Sequence, residues 1–422
     1  MKPILSSLSP NIQRDDAWLA LKILFRPWKW KEGKKETELE EKFRDYLGVK
    51  YAFSFNSGRV AMLAILKSLG IKKGNVLLSG FTCNAAVNPI LWSNLKPKFY
   101  DIGEDFNVDF PSLKKSINKR SRILLVQHTF GLPVNMNDIQ KLATENNLVV
   151  VEDCAHALGA KWQNSLVGTF GQAAFFSFGR DKIISSVYGG IAVTNDSELA
   201  DKIKSFQAKC NYPSRFWIFQ QLLHPILTYY IIIPLYRFKN LGRLILLILQ
   251  KLRILSKSVH QKEKWGEKPS YFPRKISNAL SNLAIHQLYK LEEFNKHRDK
   301  IAKIYNQELK NTVFVLPPLK KGSIYMKYPI LLPTQQTDQV LRQMRDEKII
   351  LYDGWRNSPI VPMGTELKKM NYQSGSCPKA EELSRRIINL PTHINISPSQ
   401  ASFLIKSLKK NLALNYSETE TI

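Results

Sequence analysis

VVVEDCAHALGA, residues Val149–Ala160, and FFSFGRDKIISSVYGG, residues Phe175–Gly190, are the two stretches from which the fold can be read. The first is a short continuous apolar run, the pattern of a buried strand, and it ends in Asp153 with His156 three residues on. The second leaves a strand with a hydroxyl, Ser177, offers Lys182 five residues later, and reaches the paired Gly189-Gly190. Outward from these, strand-like runs recur at Val76, Lys96, Arg122 and Gly190. Between some of them lie the helical patterns NSGRVAMLAILKSLG, NAAVNPILWSNL and NMNDIQKLATENN. Strand–helix alternation of this kind predicts an α/β fold, a mostly parallel sheet with helices on both faces.

Five units follow along the chain. Residues 1–40 read as an N-terminal arm carrying the basic aromatic stretch Arg26–Lys31. Residues 41–212 read as the large domain. The helix leading into it is placed near Thr37, where Thr37 and Glu40 have capping-box spacing; Leu39, Phe43 and Leu47 give its apolar face and Gly48 its end. Residues 213–268 form a basic, hydrophobic helical insert, and 269–310 a long connecting helix faced by Leu283, Leu288, Leu291 and Ile301. Residues 311–422 make a smaller α/β domain with MKYPILLP as a strand and TDQVLRQMRDEK as a helix.

A chain of 422 residues with 44% hydrophobic and 23% charged residues has ample core for these units. Cys83, Cys154, Cys210 and Cys377 show no paired spacing, which points to a reducing compartment and to no metal site. The N-terminus has too short an apolar run for a signal peptide, so a cytoplasmic protein is expected. The net charge of +27 raises the question of an anionic partner.

The insert shows where part of that charge sits. Phe216–Tyr236, FWIFQQLLHPILTYYIIIPLY, has no Lys, Arg, Asp or Glu, and Lys202–Lys262 holds eleven Lys and Arg with no acid. One reading is a helical hairpin buried in the fold or in a dimer interface. A spanning helix is disfavoured by Pro225, Pro234, Gln220, Gln221 and His224 inside the run. A hairpin lying in an anionic membrane surface, at the inner face of the cytoplasmic membrane, accounts better for apolar residues beside basic ones. Nucleic acid is not expected as a partner, because aliphatic side chains dominate where stacking aromatics would be needed.

An acid closing one strand and a lysine on a nearby turn are what pyridoxal phosphate (PLP) chemistry requires: an amine to carry the cofactor and a carboxylate to keep its ring nitrogen protonated. With these motifs in hand, the chain resembles the DegT/DnrJ/EryC1/StrS family of sugar aminotransferases, fold type I PLP enzymes, over roughly 45–210 and 270–410. The resemblance rests on FSFNSGRVAML, on the two stretches above and on CPKAEELSRRIINLPTH. It implies that Lys182 carries PLP, that Asp153 pairs with the pyridinium nitrogen and that His156 bonds the ring hydroxyl. It further implies that Ser177 with Ser57, Gly58 and Arg59 holds the phosphate, where a glycine turn opens a helix.

Three departures from the family pattern stand out. In FTCNAAVNPIL the aromatic that covers the ring aligns with Cys83, two residues after Phe81, and either side chain is a candidate. Arg59 stands where threonine is frequent. The partner-subunit segment reads YFPRKIS, with Arg274 or Lys275 in place of an asparagine. The resemblance implies a homodimer that moves an amino group from glutamate to a keto-sugar, nucleotide-linked, for surface polysaccharide or glycan precursors. Rival readings are a PLP-dependent dehydratase, whose relatives carry histidine at the position of Lys182, and a non-catalytic membrane-associated scaffold of the same fold.

Overall fold

Seven segments form the central sheet of the computed structural model. They are β1 (Tyr51–Phe55), β2 (Asn75–Ser79), β3 (Lys96–Tyr100), β4 (Ser121–Gln127), β5 (Val149–Asp153), β6 (Ala173–Ser177) and β7 (Gly190–Thr194). Their order is β1-β7-β6-β5-β4-β2-β3. Only β7 runs antiparallel to its neighbours; the other pairs are parallel, as the alternation of patterns predicts. The register sets Gln127 and Phe175 beside Asp153, and Ser177 beside Gly190. The chemistry-bearing residues therefore gather at the carboxyl ends of β4, β5 and β6, where open α/β sheets present ligand sites.

The structure describes residues 3–238, 241–333 and 336–419; the remaining residues of the first unit, the insert and the last unit lie outside the described residues. The first 40 residues are folded onto the body rather than extended as an arm. Ile4–Leu5 pairs in parallel with Ile349–Ile350. Helix α1 (Arg14–Leu24) is capped by Gln13 and Asp16 and buries Ala17, Ala20 and Ile23. Helix α2 starts at Lys35, not Thr37, because its free N–H groups are met from elsewhere: Asn278 Oδ1 accepts from the Lys35 N–H at 3.0 Å. Leu39, Phe43 and Leu47 are its buried face, and Gly48 ends it with φ 69°, a left-handed turn suited to glycine.

Helices α3 (Gly58–Ser68), α4 (Asn84–Trp92), α5 (Met136–Glu145) and α6 (Ser197–Ala208), with a short helix at Phe110–Ser116, belong to the large unit. In the insert, α7 (Arg215–Leu227) runs through a π-helical turn at Thr228–Ile232 and is followed by α8 (Leu241–Lys251). Ile218 and Leu222 join the main core. Arg215–Leu235 is long and apolar enough to cross a membrane, yet Gln220, Gln221, His224 and Thr228 within it are buried against protein. The connecting helix is two helices, α9 (Asn278–Leu288) and α10 (Leu291–Leu309). They part at Tyr289-Lys290, where the Lys290 ammonium reaches Asp15 and Asp16 of α1.

The smaller unit pairs β8 (Lys327–Leu331) with β9 (Ile387–Pro391), antiparallel, and has its own core around Tyr305, Tyr328 and Leu404. A short bridge, Ile360–Val361 against Thr82–Cys83, ties it to the carboxyl ends of the main sheet.

Candidate active site

At those carboxyl ends lies a cavity of about 740 Å³. Asp153, the last residue of β5, lines it, as does His156 on the turn that follows. Ser177 closes β6, and the turn after it delivers Lys182, whose N–H donates to Gly179 O at 3.1 Å. Ser57 and Gly58 line the cavity from the start of α3, with the Ser57 hydroxyl accepting from Val60 N–H at 3.2 Å. Strand β7 and the start of α3 are in backbone contact here: a Cβ on Gly190 would stand 2.3 Å from Gly58 N, and one on Gly58 would stand 2.8 Å from Ser177 Cβ. Two glycines thus bring helix N–H groups and two serine hydroxyls together. That donor set suits a phosphate dianion.

Two expected ligands lie differently. Arg59 lines the cavity, but its guanidinium forms an ion pair with the fully buried Glu263 and donates to Ser258 O at 3.2 Å. Its fork is committed to the insert, and it is not a phosphate ligand in this arrangement. Phe81 is fully buried against Phe106 and Trp355, with ring centroids 5.3 and 5.6 Å away, and does not line the cavity. The chain leaves the sheet at Gly80 and only Thr82–Cys83 is extended, so the two-residue alternation of a regular strand does not apply. Cys83 is the one of the pair that faces the cavity.

Burial dominates the electrostatics. It pulls the Lys182 amine below its ordinary value of 10.5, against the pull of Cys83 and Asp153. It pushes the Asp153 carboxyl up from 3.8, against the Ala155 N–H that donates to it at 3.0 Å. A positive ring nitrogen beside Asp153 would restore the charge that burial disfavours. Burial, with Lys182 and Lys327, holds His156 well below 6.5, so the ring is neutral. Its Nδ1 accepts from Phe130 N–H at 3.4 Å, which places the remaining proton on Nε2 as a donor. Phe130 stacks on this imidazole and Trp355 meets it edge-on at 4.7 Å, fixing its plane.

Bound in this cavity, PLP supplies an electron sink for a carbanion formed next to the amine. The chain's own residues do the rest. Lys182 would hold the cofactor through its amine, and the same amine would carry a proton to and from the substrate carbon; its lowered basicity suits that exchange. Asp153 would keep the ring nitrogen protonated, and His156 would orient the ring.

Several participants escaped the sequence reading. Asn11 Nδ2 donates to Lys182 O at 2.7 Å and to Ile183 O at 2.9 Å, and the buried Arg298 donates to Asn11 Oδ1 at 2.8 Å. The N-terminal segment therefore pins the lysine turn. Asp353, which lines the cavity, is ion-paired with Lys327 at 2.6 Å and accepts from Asn389 at 2.9 Å. The insert supplies a whole wall, including His224, Thr228, Gln250 and Lys257. Arg274 and Lys275 do not line the cavity: Arg274 donates to Pro273 O and Ser270 O, and the Lys275 ammonium sits 5.4 Å over the Tyr212 ring.

A seven-stranded, mostly parallel sheet presenting a buried lysine, a strand-end carboxyl and a glycine-opened helix to one cavity defines a fold type I PLP enzyme. The sequence model of the DegT/DnrJ/EryC1/StrS aminotransferase family matches residues 12–220 and 246–409, and the chain belongs to that family as a PLP-dependent aminotransferase. The chain is 28% identical to GDP-perosamine synthase of Escherichia coli O157:H7, over 91% of this chain and 92% of that protein. In fold it is similar to PseC of Helicobacter pylori, an aminotransferase involved in the biosynthesis of pseudoaminic acid, with a TM-score of 0.74, 24% identity, and 97% and 99% of the two chains covered. The E. coli GDP-4-keto-6-deoxy-D-mannose-3-dehydratase with bound hydrated PLP has the same fold, with a TM-score of 0.73, 19% identity, and 97% and 99% covered. The family match leaves out residues 221–245, inside the insert.

Proposed function

We propose that this enzyme moves an amino group from glutamate to the carbonyl carbon of a nucleotide-linked keto-sugar, in the synthesis of surface polysaccharide or glycan precursors. The observation that carries it is Lys182, buried with lowered basicity beside Asp153 in a cavity large enough for cofactor and sugar. The name of the perosamine synthase relative supports a nucleotide-linked substrate. In this reading PLP phosphate is held by Ser57, Gly58 and Ser177, and Cys83 lies beside the ring. Lysine at position 182 speaks for amino transfer rather than dehydration, and a cavity of about 740 Å³ lined by Lys182, Asp153 and His156 speaks against an inert scaffold.

The test is to mix holoenzyme with glutamate and follow the visible absorbance band, then add keto-sugar nucleotides and look for aminated product. Loss of the band with glutamate and its return with a keto-sugar are expected. A band that no amine perturbs would sink the reading. The working form is a homodimer in the cytoplasm, and the insert, 213–260, touches an anionic membrane surface. The observation favouring that contact is the outer face of α8, where Leu244, Leu247 and Ile248 are 54%, 52% and 46% exposed.

A further inference from the structure

One wall of the cavity carries a cation to which amino transfer assigns no task. Arg180, two residues before Lys182, lines the cavity and is only 9% exposed. Its Nη1 donates to Ser256 O at 2.8 Å and its Nη2 to the Ser256 hydroxyl at 2.6 Å, both neutral acceptors. Its Nε is buried without a partner, and among the described residues no carboxylate pairs with it. The adjoining Asp181 is engaged instead by the Ser9 N–H at 3.2 Å. Burying an unpaired charge is costly. Arg59, the other arginine lining this cavity, is matched by Glu263, whereas Arg180 has beside its bonds to Ser256 only the face of the Tyr188 ring, 5.7 Å away.

The groups around it come from the insert. His224, which is buried, and Lys257 line the same cavity, as do Thr228 and Gln250. Ser256 is fixed in turn by donating to Gln221 Oε1 at 2.8 Å. No acidic residue occurs between Lys202 and Lys262, so nothing on this wall competes for the guanidinium.

We propose that Arg180, with Lys257 and His224, forms an anion subsite for the diphosphate that joins the sugar to its carrier. The proposal rests on the keto-sugar reading of the same cavity and adds where the activated end of the substrate binds. Charge-assisted bonds from a fixed guanidinium suit a phosphate oxygen. A diphosphate has two sources, a nucleoside carrier or an isoprenoid one. The second is relevant because Leu246 and Leu247 of α8 line the cavity while Leu247 is also half exposed.

Isothermal titration of the PLP-loaded protein with inorganic pyrophosphate, UDP, GDP and farnesyl diphosphate tests this. Pyrophosphate is expected to bind, and Arg180→Gln to weaken it by at least about 10-fold, the worth of a charge-assisted contact. Arg180→Lys keeps the cation and recovers part of the affinity; a residue that merely anchors Ser256 would not be rescued this way. Tight binding of a nucleoside diphosphate identifies a nucleotide carrier, and binding of farnesyl diphosphate alone identifies a lipid carrier. Unchanged pyrophosphate affinity in Arg180→Gln, with the visible band intact, overturns the proposal. Should that variant lose PLP, Lys257→Gln decides: weaker pyrophosphate binding supports the subsite and equal binding rejects it. A protein that binds pyrophosphate but aminates no keto-sugar would refute the underlying reading and leave the subsite standing.

Discussion

Lys182 owes its chemistry to where the chain buries it. Because burial lowers its amine from 10.5, the folded apoprotein binds fewer protons than the unfolded chain just below that pH. Apoprotein stability therefore falls as pH drops below 10.5, until the folded-state value is passed and the penalty is complete. Capture of added PLP, which needs the neutral amine, should rise with pH around a midpoint below 10.5; a midpoint at or above it would contradict the buried setting. Borohydride reduction of holoenzyme and peptide mapping should place the pyridoxyl group on Lys182 and on no other lysine. Asp153→Asn should keep PLP yet lose transamination by on the order of 100-fold, because an amide cannot hold the ring nitrogen protonated. That Lys182, Asp153, His156 and Ser177 line one cavity was legible because each lies at or soon after a strand end in sequence. Arg59 was not, because the acid that claims it, Glu263, is 204 residues away.

Elements tell the same story of local signal and distant override. Six of the seven strands follow from strand-like runs bounded by turns, while β1 was marked only by the resemblance at FSFNSGRVAML, and strand contacts then fix which helices can pack. The start of α2 was misplaced because a residue on α9, Asn278, caps it, and no local pattern records that. Helix α1 escaped notice because its buried face is made of Ala17, Ala20 and Ile23, too small a stripe to read as amphipathic. Its leading segment matters to the site through Asn11. Asn11→Ala would remove the donor to Lys182 O and the oxygen that accepts from Arg298, while Ile183 O would keep the Arg298 guanidinium at 3.1 Å. The expected loss is about 1–3 kcal/mol, seen as a lower melting temperature and faster loss of PLP on dialysis. A variant with unchanged melting and PLP retention would show that the turn holds itself.

Over the whole molecule, charge and apolar exposure coincide on the insert. Its inner side is structural: α7 packs into the core, Ser256 holds Arg180, and Lys257 O accepts from the Tyr188 hydroxyl. Deleting Ser214–Lys257 would therefore open the cavity, and a surface change is the cleaner probe. On the outer side, the exposed leucines of α8 sit among Arg237, Arg243, Lys251 and Arg253 with no acid between Lys202 and Lys262. Two copies meeting through this face would oppose like charges, which disfavours a symmetric interface there. In the proposed membrane contact an anionic bilayer would instead take up the aliphatic face and attract each basic residue by on the order of 1 kcal/mol. The intact protein should sediment with phosphatidylglycerol-containing vesicles at low salt, less at high salt, where the Debye length shrinks to a few ångströms, and less with neutral vesicles. Leu244→Glu with Ile248→Glu should abolish sedimentation while the PLP band persists, since neither residue lines the cavity. If the unaltered protein stays in solution and the same pair of substitutions splits a dimer, the apolar face belongs to subunit contact, and the +27 charge serves the substrate and not a membrane.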